Sequence, residues 1–172
     1  GVAKLLNVPV DSVRAIWVQG PGSYGRNDAG DAALDAAMIS KMTGRPVRVQ
    51  GMRHDATAWD PKAPASIHRA RAALDANGKV TGYEFISRAF SRATIDSNES
   101  DPRDSLVGME LGLAPKAGVG FGTPSESYGF EGKLLGWEVI PDLIASASPM
   151  RTSHLRDPVG LQIQFASEQF MD

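Results

Sequence analysis

Val18-Gln19-Gly20-Pro21-Gly22-Ser23-Tyr24-Gly25-Arg26-Asn27-Asp28-Ala29-Gly30-Asp31 joins an apolar, β-forming run to an alanine-rich one. Gly20, Gly22 and Gly25 permit positive φ and leave no Cβ in the way of a second backbone or a ligand. The helix start that follows offers unpaired N–H groups and the positive end of a helix dipole. Both suit an anionic group, such as a phosphate or pyrophosphate, near residues 22 to 28. The glycine spacing is G-x-G-x-x-G, but two features depart from a dinucleotide fold. Pro21 lies inside the turn, and Gly44-Arg45-Pro46 stands about 20 residues on, where a ribose-binding carboxylate belongs. A Gly-Pro-Gly loop that simply turns the chain is the plain alternative.

Working outward from this turn, Val13, Ile16, Trp17 and Val18 predict a strand over Val13 to Gln19, and residues 1 to 7 read as a helix end closed by Asn7 and Pro9. Downstream, a helix is predicted from Asp28 or Gly30 to Met42. Asp28, Asp31 and Asp35 lie toward its start, Lys41 lies toward its end, and Gly44 and Pro46 stop it. Val47 to Gln50 reads as a second short strand, which makes a strand, helix, strand unit with the glycine turn at the end where ligands usually bind.

Residues 64 to 90 carry the clearest hairpin signal, two β-forming runs joined by Asp75-Ala76-Asn77-Gly78. Residues 91 to 133, rich in Ser, Asp, Gly and Pro, read as a long irregular loop. Leu134 to Ile140 is a predicted strand. Asp157 as N-cap and Pro158 as first helical residue then start a largely apolar helix running to about Phe170, with Arg156 immediately before it. These elements give an α+β fold in which a mixed sheet of 13–19, 47–50, 66–74 and 80–90 carries the helix 29–42 on one face.

The chain has 172 residues, 42% of them hydrophobic, enough for one cored domain or a piece of a larger one. Because it starts in an apolar helical pattern and stops inside another, it reads as a segment of a longer protein. A net charge of -2 gives no electrostatic case for nucleic acid, and no run reaches transmembrane length. The absence of cysteine excludes thiolate ligands and Cys-ligated iron-sulfur clusters within these residues. His54, His68 and His154 stand singly, which disfavours a histidine metal site. Gly22-Ser23-Tyr24-Gly25 lacks the spacing of a nucleophile elbow, and Glu84, Glu110 and Glu168 are isolated acid or base candidates.

Four motifs in order carry a resemblance: Gly22-Ser23-Tyr24-Gly25-Arg26-Asn27 before an alanine-rich helix, Thr43-Gly44-Arg45-Pro46-Val47-Arg48, the hairpin, and Arg156-Asp157-Pro158-Val159-Gly160 before a helix ending Glu168-Gln169-Phe170-Met171-Asp172. In this order the chain resembles the molybdenum hydroxylases. More narrowly, it is similar to the large, molybdopterin-binding subunit of the xanthine dehydrogenase and aldehyde oxidase family, in the branch with isoquinoline oxidoreductases and nicotinate dehydrogenases.

The resemblance implies the molybdenum cofactor, molybdopterin, and hydroxylation of an N-heterocycle or aldehyde with oxygen from water. It also implies partners: the remainder of the large subunit, an iron-sulfur small subunit or domain, and a cytochrome as electron acceptor. It places Gly22, Ser23, Tyr24, Gly25, Arg26, Asn27 and Arg156 beside the cofactor, with Tyr24 in the aromatic position of the family's Gly-Gly-x-Phe-Gly turn. Arg26-Asn27-Asp28 stands where xanthine-oxidising members carry Gly-Lys-Glu, and Pro158 stands where they carry a substrate-stacking Phe, so the resemblance does not carry a xanthine substrate over to this chain, whose substrate recognition must differ. The family's glutamate base falls outside these residues. The chain is thus expected to be a partial molybdopterin-binding domain over 1–172, inactive alone. A non-catalytic scaffold or interaction domain, and a nucleotide-binding domain using the glycine turn, are the other readings.

Overall fold

The computed structural model describes residues 1–22, 24–25, 30–90, 101–113, 128–140, 151–153, 156 and 160–172. Helix α1 (Val2–Leu6) ends at Asn7, whose left-handed φ of 52° closes it as the sequence predicts. Helix α2 (Asp31–Thr43) begins after Gly30 and stops at Gly44, both left-handed, with Asp31 in its first turn and Lys41 in its last, matching the helix dipole. Lys41 Nζ donates to the carbonyl of Leu6 at 2.8 Å, which locks the end of α2 to the end of α1. The seam between them buries Ala3 and Leu34.

Helix α3 (Arg53–Trp59) follows, its start tied by the Met52 N–H donating to Asp55 Oδ2 at 2.8 Å. Helix α4 (Leu106–Glu110) comes after a 3-10 turn, Pro102–Asp104. These two short elements lie inside 91–133, the stretch read as irregular, while residues 91–100 and 114–127 lie outside the described residues. Ser105 caps α4 by accepting from the Gly108 N–H at 3.1 Å. Gly108 is required there, because a Cβ would fall 1.9 Å from the carbonyl oxygen of Pro102.

The hairpin forms as predicted: β1 (Ser66–Leu74) pairs antiparallel with β2 (Val80–Phe90), with Phe85 opposite Ala70 and Ser87 opposite His68. Asp75 organises the turn, its Oδ1 accepting from the N–H groups of Asn77 and Lys79. The third strand is β3 (Lys133–Ile140), parallel to β2, so the sheet is mixed with order β1-β2-β3. Helix α5 (Gly160–Met171) packs against β1, placing Ile163 with Tyr83, Phe85 and Ala89 in the apolar core. The predicted cap residues of that helix, Asp157 and Pro158, lie outside the described residues.

The α+β class and the mixed sheet with a long hairpin stand, but the composition of the sheet is corrected. Residues 13–19 and 47–50, predicted as strands, have no regular structure. Ile16, Trp17 and Val18 are 69%, 85% and 79% exposed. β-propensity acts through packing against a neighbouring strand, and no strand among the described residues lies beside them. Helix α2 accordingly packs on α1 and α4, and it is α5 that meets the sheet. No helix among the described residues is long and apolar enough to cross a membrane.

Candidate functional site

The glycine turn and the segment before α5 meet directly. The backbone N–H of Arg156 donates to the carbonyl of Tyr24 at 2.7 Å. The Arg156 guanidinium also lies over the Tyr24 ring, 5.5 Å from its centroid, within cation–π range. Both residues hold positive φ, 52° at Tyr24 and 45° at Arg156, and Gly22 and Gly25 flank the tyrosine at 129° and 127°. Only glycine adopts the two flanking conformations readily. Left-handed conformations at a bulky aromatic and an arginine cost on the order of 1 kcal/mol each, so the surrounding contacts must hold them.

A Cβ added at Gly22 would sit 3.8 Å from the Tyr24 ring, so the bare glycine keeps the space over that ring open. Tyr24 is 65% exposed, and Arg156 is exposed as well. The donor set, a fixed cation beside a glycine turn, has the chemistry to receive an anionic group such as the phosphate end of molybdopterin. Of the residues expected at this site, Gly22, Tyr24, Gly25 and Arg156 are brought together. Ser23, Arg26 and Asn27 lie outside the described residues, as does His154.

A second constellation, which the sequence did not single out, is built on Asp31 and Arg151. Arg151 is 2% exposed, and its guanidinium grips the Asp31 carboxylate with both ends, Nη1 to Oδ1 at 3.1 Å and Nη2 to Oδ2 at 2.5 Å. It also donates to the carbonyls of Asp104 at 2.9 Å and Trp59 at 3.0 Å. Asp31 in turn accepts from the Leu106 N–H at 3.0 Å. Lys62 pairs with both sides of Thr152, its N–H donating to Arg151 at 2.9 Å and its carbonyl accepting from Ser153 at 3.0 Å.

Beside this pair lies a cleft of about 450 Å³ whose walls include Asp35, Met52, Asp55, Trp59 and Leu106. Burial, with the neighbouring Asp31 carboxylate, raises the Asp35 carboxyl above its ordinary value, and Arg151 opposes the rise. Neither Tyr24 nor Arg156 lines this cleft.

Of the three isolated acid and base candidates, Glu84 and Glu168 are engaged elsewhere, and Glu110 is exposed at the end of α4. Glu84 is held by Arg71 in two bonds of 2.8 Å, which lower its carboxyl. Glu168 accepts from the Tyr128 hydroxyl at 3.1 and 3.2 Å. His68 sits between two serines, Ser66 at Nε2 and Ser87 at Nδ1, each at 2.9 Å, and burial lowers its imidazole. Among the described residues, no three His, Cys, Asp or Glu side chains gather as metal ligands.

Comparison with known proteins identifies the family. One relative, a nicotinate dehydrogenase subunit from Pseudomonas putida, is 37% identical over 84 residues, 49% of this chain and 7% of that protein. The membrane-bound aldehyde dehydrogenase [pyrroloquinoline-quinone] of Gluconacetobacter polyoxogenes is 33% identical over 89 residues, 51% of this chain and 12% of that protein. The chain therefore corresponds to a small part of each of these relatives. No solved structure matches it significantly. The model of the molybdopterin cofactor-binding domain matches residues 1–104 of the 172, a span that holds the glycine turn, α2 and the whole hairpin. With the motif order and the Tyr24–Arg156 contact pointing the same way, the chain belongs to the molybdopterin cofactor-binding domain family.

Proposed function

We propose that this chain is the part of a molybdenum hydroxylase in which Gly22 to Asn27 and Arg156 form one wall of the cofactor and substrate site. The enzyme would oxidise an N-heterocycle or an aldehyde with water as the oxygen source. One observation carries the reading. Tyr24 and Arg156, far apart in sequence and each assigned to the cofactor by its own motif, touch through backbone and side chain. The names of the relatives, one for nicotinate and one for an aldehyde, support the two substrate classes.

The bound molybdopterin cofactor would supply the two-electron oxidation and the transfer of oxygen. The residues of this chain would bind and orient. The glycine turn lets an anionic group come close to backbone, and the Arg156 guanidinium offers fixed donors at its side. Tyr24, its ring braced by the arginine, shapes the wall against which a flat substrate lies. No cysteine is present, so electrons would leave through iron-sulfur centres on a partner subunit or domain, with a cytochrome as acceptor. The proton-accepting base would come from elsewhere in the large subunit, and this segment would act only as part of it.

Tyr24→Ala and Arg156→Ala in the full enzyme test the proposal, with molybdenum and pterin content measured beside turnover of nicotinate-like and aldehyde substrates. Loss of Arg156 should lower kcat by roughly 10² if its donors meet charge that develops in the transition state. Loss of Tyr24 should mainly raise KM. Unaltered kinetics in both variants, with folding intact, would remove these residues from the site. Pyrroloquinoline quinone in place of pterin in the purified protein would overturn the cofactor.

A further inference from the structure

We infer that Asp31 and Arg151 are positioning residues, a buried clamp that sets the spacing between the turn bearing Tyr24 and the segment bearing Arg156. The inference rests on the reading above of those two residues as one site wall. Asp31 follows Gly25 at the start of α2, and Arg151 precedes Arg156 on the approach to α5. The two stretches, 24–31 and 151–156, are joined at both ends, by Tyr24 O with Arg156 N at 2.7 Å and by the Asp31–Arg151 pair at 2.5 and 3.1 Å. A single attachment would leave Arg156 free to swing about it, whereas two attachments remove that freedom.

The chemistry of the clamp suits this task. A guanidinium gripping a carboxylate with both nitrogens fixes angle as well as distance, which a lysine cannot do. The same two nitrogens of Arg151, Nη1 and Nη2, also reach the carbonyls of Asp104 and Trp59, and Asp31 holds the start of α4 through Leu106 N–H. Lys62 pins the backbone on both sides of Thr152. The clamp is therefore anchored in α2, α3 and α4, and Arg151, at 2% exposure, lies too deep to be a surface pair.

The test uses the full enzyme with Arg151→Lys, which keeps the charge and loses the fork, and Asp31→Asn, which keeps an acceptor and loses the charge. Hydrogen exchange at the Arg156 amide reads the spacing without depending on any cofactor, and the amides of the β1–β2 hairpin report whether the fold is intact. In both variants the Arg156 amide should exchange about tenfold faster or more while hairpin amides keep wild-type protection. At the same time kcat should fall roughly tenfold to a hundredfold with little change in KM, the mark of misplacement and not of lost binding.

Wild-type protection at Arg156 in Arg151→Lys would overturn the clamp, because there the charge remains and only the fork is gone. Equal loss of protection at Arg156 and in the hairpin would also overturn it, showing general destabilisation. Should the wild-type enzyme contain no molybdenum or pterin, the cofactor reading fails, while the exchange result still decides the clamp.

Discussion

In the sheet and α5, the apolar residues most removed from solvent are Tyr83, Phe85, Ala89 and Ile163, with Ser87 and Ser167 buried beside them; around Asp31 the buried residues are polar, Arg151, Asp104, Ser105, Thr152 and Ser153. The first set is held by apolar area, which is large but non-directional. The second is held by hydrogen bonds and one ion pair, each with a preferred angle. Regular strands need no further help to take their geometry, since their ladders fix it. The segments around Asp31 are short helices, turns and a single bridge, and directional bonds to backbone carbonyls supply what ladders do not. Irregular chain can be placed accurately in this way, at the cost of burying polar atoms, of which Arg151 Nε and Ser153 Oγ find no hydrogen-bond partner among the described residues.

Three substitutions probe this contrast, from the largest expected effect to the smallest. Phe85→Ala removes a ring that is 1% exposed and stacked on His68 and Tyr83. It should lower stability by about 3–5 kcal/mol, read as a shift in the urea midpoint with a small change in slope. A cost near that of a surface change would mean that the apolar core does not carry the sheet half. Gly108→Ala, in α4, sets two effects against each other. Alanine favours a helix interior by about 1 kcal/mol over glycine, but its Cβ would meet the Pro102 carbonyl oxygen at 1.9 Å. Overpacking should win, for a net loss of roughly 1–3 kcal/mol. A stabilised variant would show that the turn before α4 is loosely held.

The smallest effect concerns His68, a polar group placed in the apolar half. Burial holds its imidazole below the ordinary value, so on acidification the unfolded chain takes up the proton before the folded one does. The stability it supports is complete above the unfolded value of about 6.5 and is lost as pH falls through that value to the lower folded one. Thermal melts from neutral to about pH 5 should show a steeper decline for the wild type than for His68→Gln. Equal slopes would mean that the two serines accept the charged ring without cost.

Most of the elements legible in the sequence have a local cause; β3, expected over Leu134 to Ile140, is legible from its own β-forming run. Asn7 and Gly44 closed their helices because a left-handed residue ends a helix wherever it stands, and Asp75 to Gly78 turned the hairpin by its own hydrogen bonds. The strands expected at 13–19 and 47–50 failed for the converse reason, since a strand exists only beside another. β3, the strand that does complete the sheet, pairs in register 50 residues away, Glu84 with Leu134. Motif order pairs Tyr24 with Arg156, and the two lie in contact. Arg151 was passed over because nothing near it in sequence marks an arginine as buried. Its partner is 120 positions away, and Pro149-Met150-Arg151-Thr152 reads as an ordinary loop.

The parallel pairing of β2 with β3 also bears on how the chain reaches its native state. Between Leu74 and Val80 the hairpin closes over five residues, whereas from Phe90 to Lys133 the chain must return over 42 before the second ladder can form. Closing the longer loop costs about 2 kcal/mol more in chain entropy. The hairpin can therefore zip early and persist as a template, and β3 arrives late, when its apolar contacts can offset that cost. During the interval one edge of β2 stands unpaired, so this edge is where a second unfolded molecule would compete with β3 at high concentration.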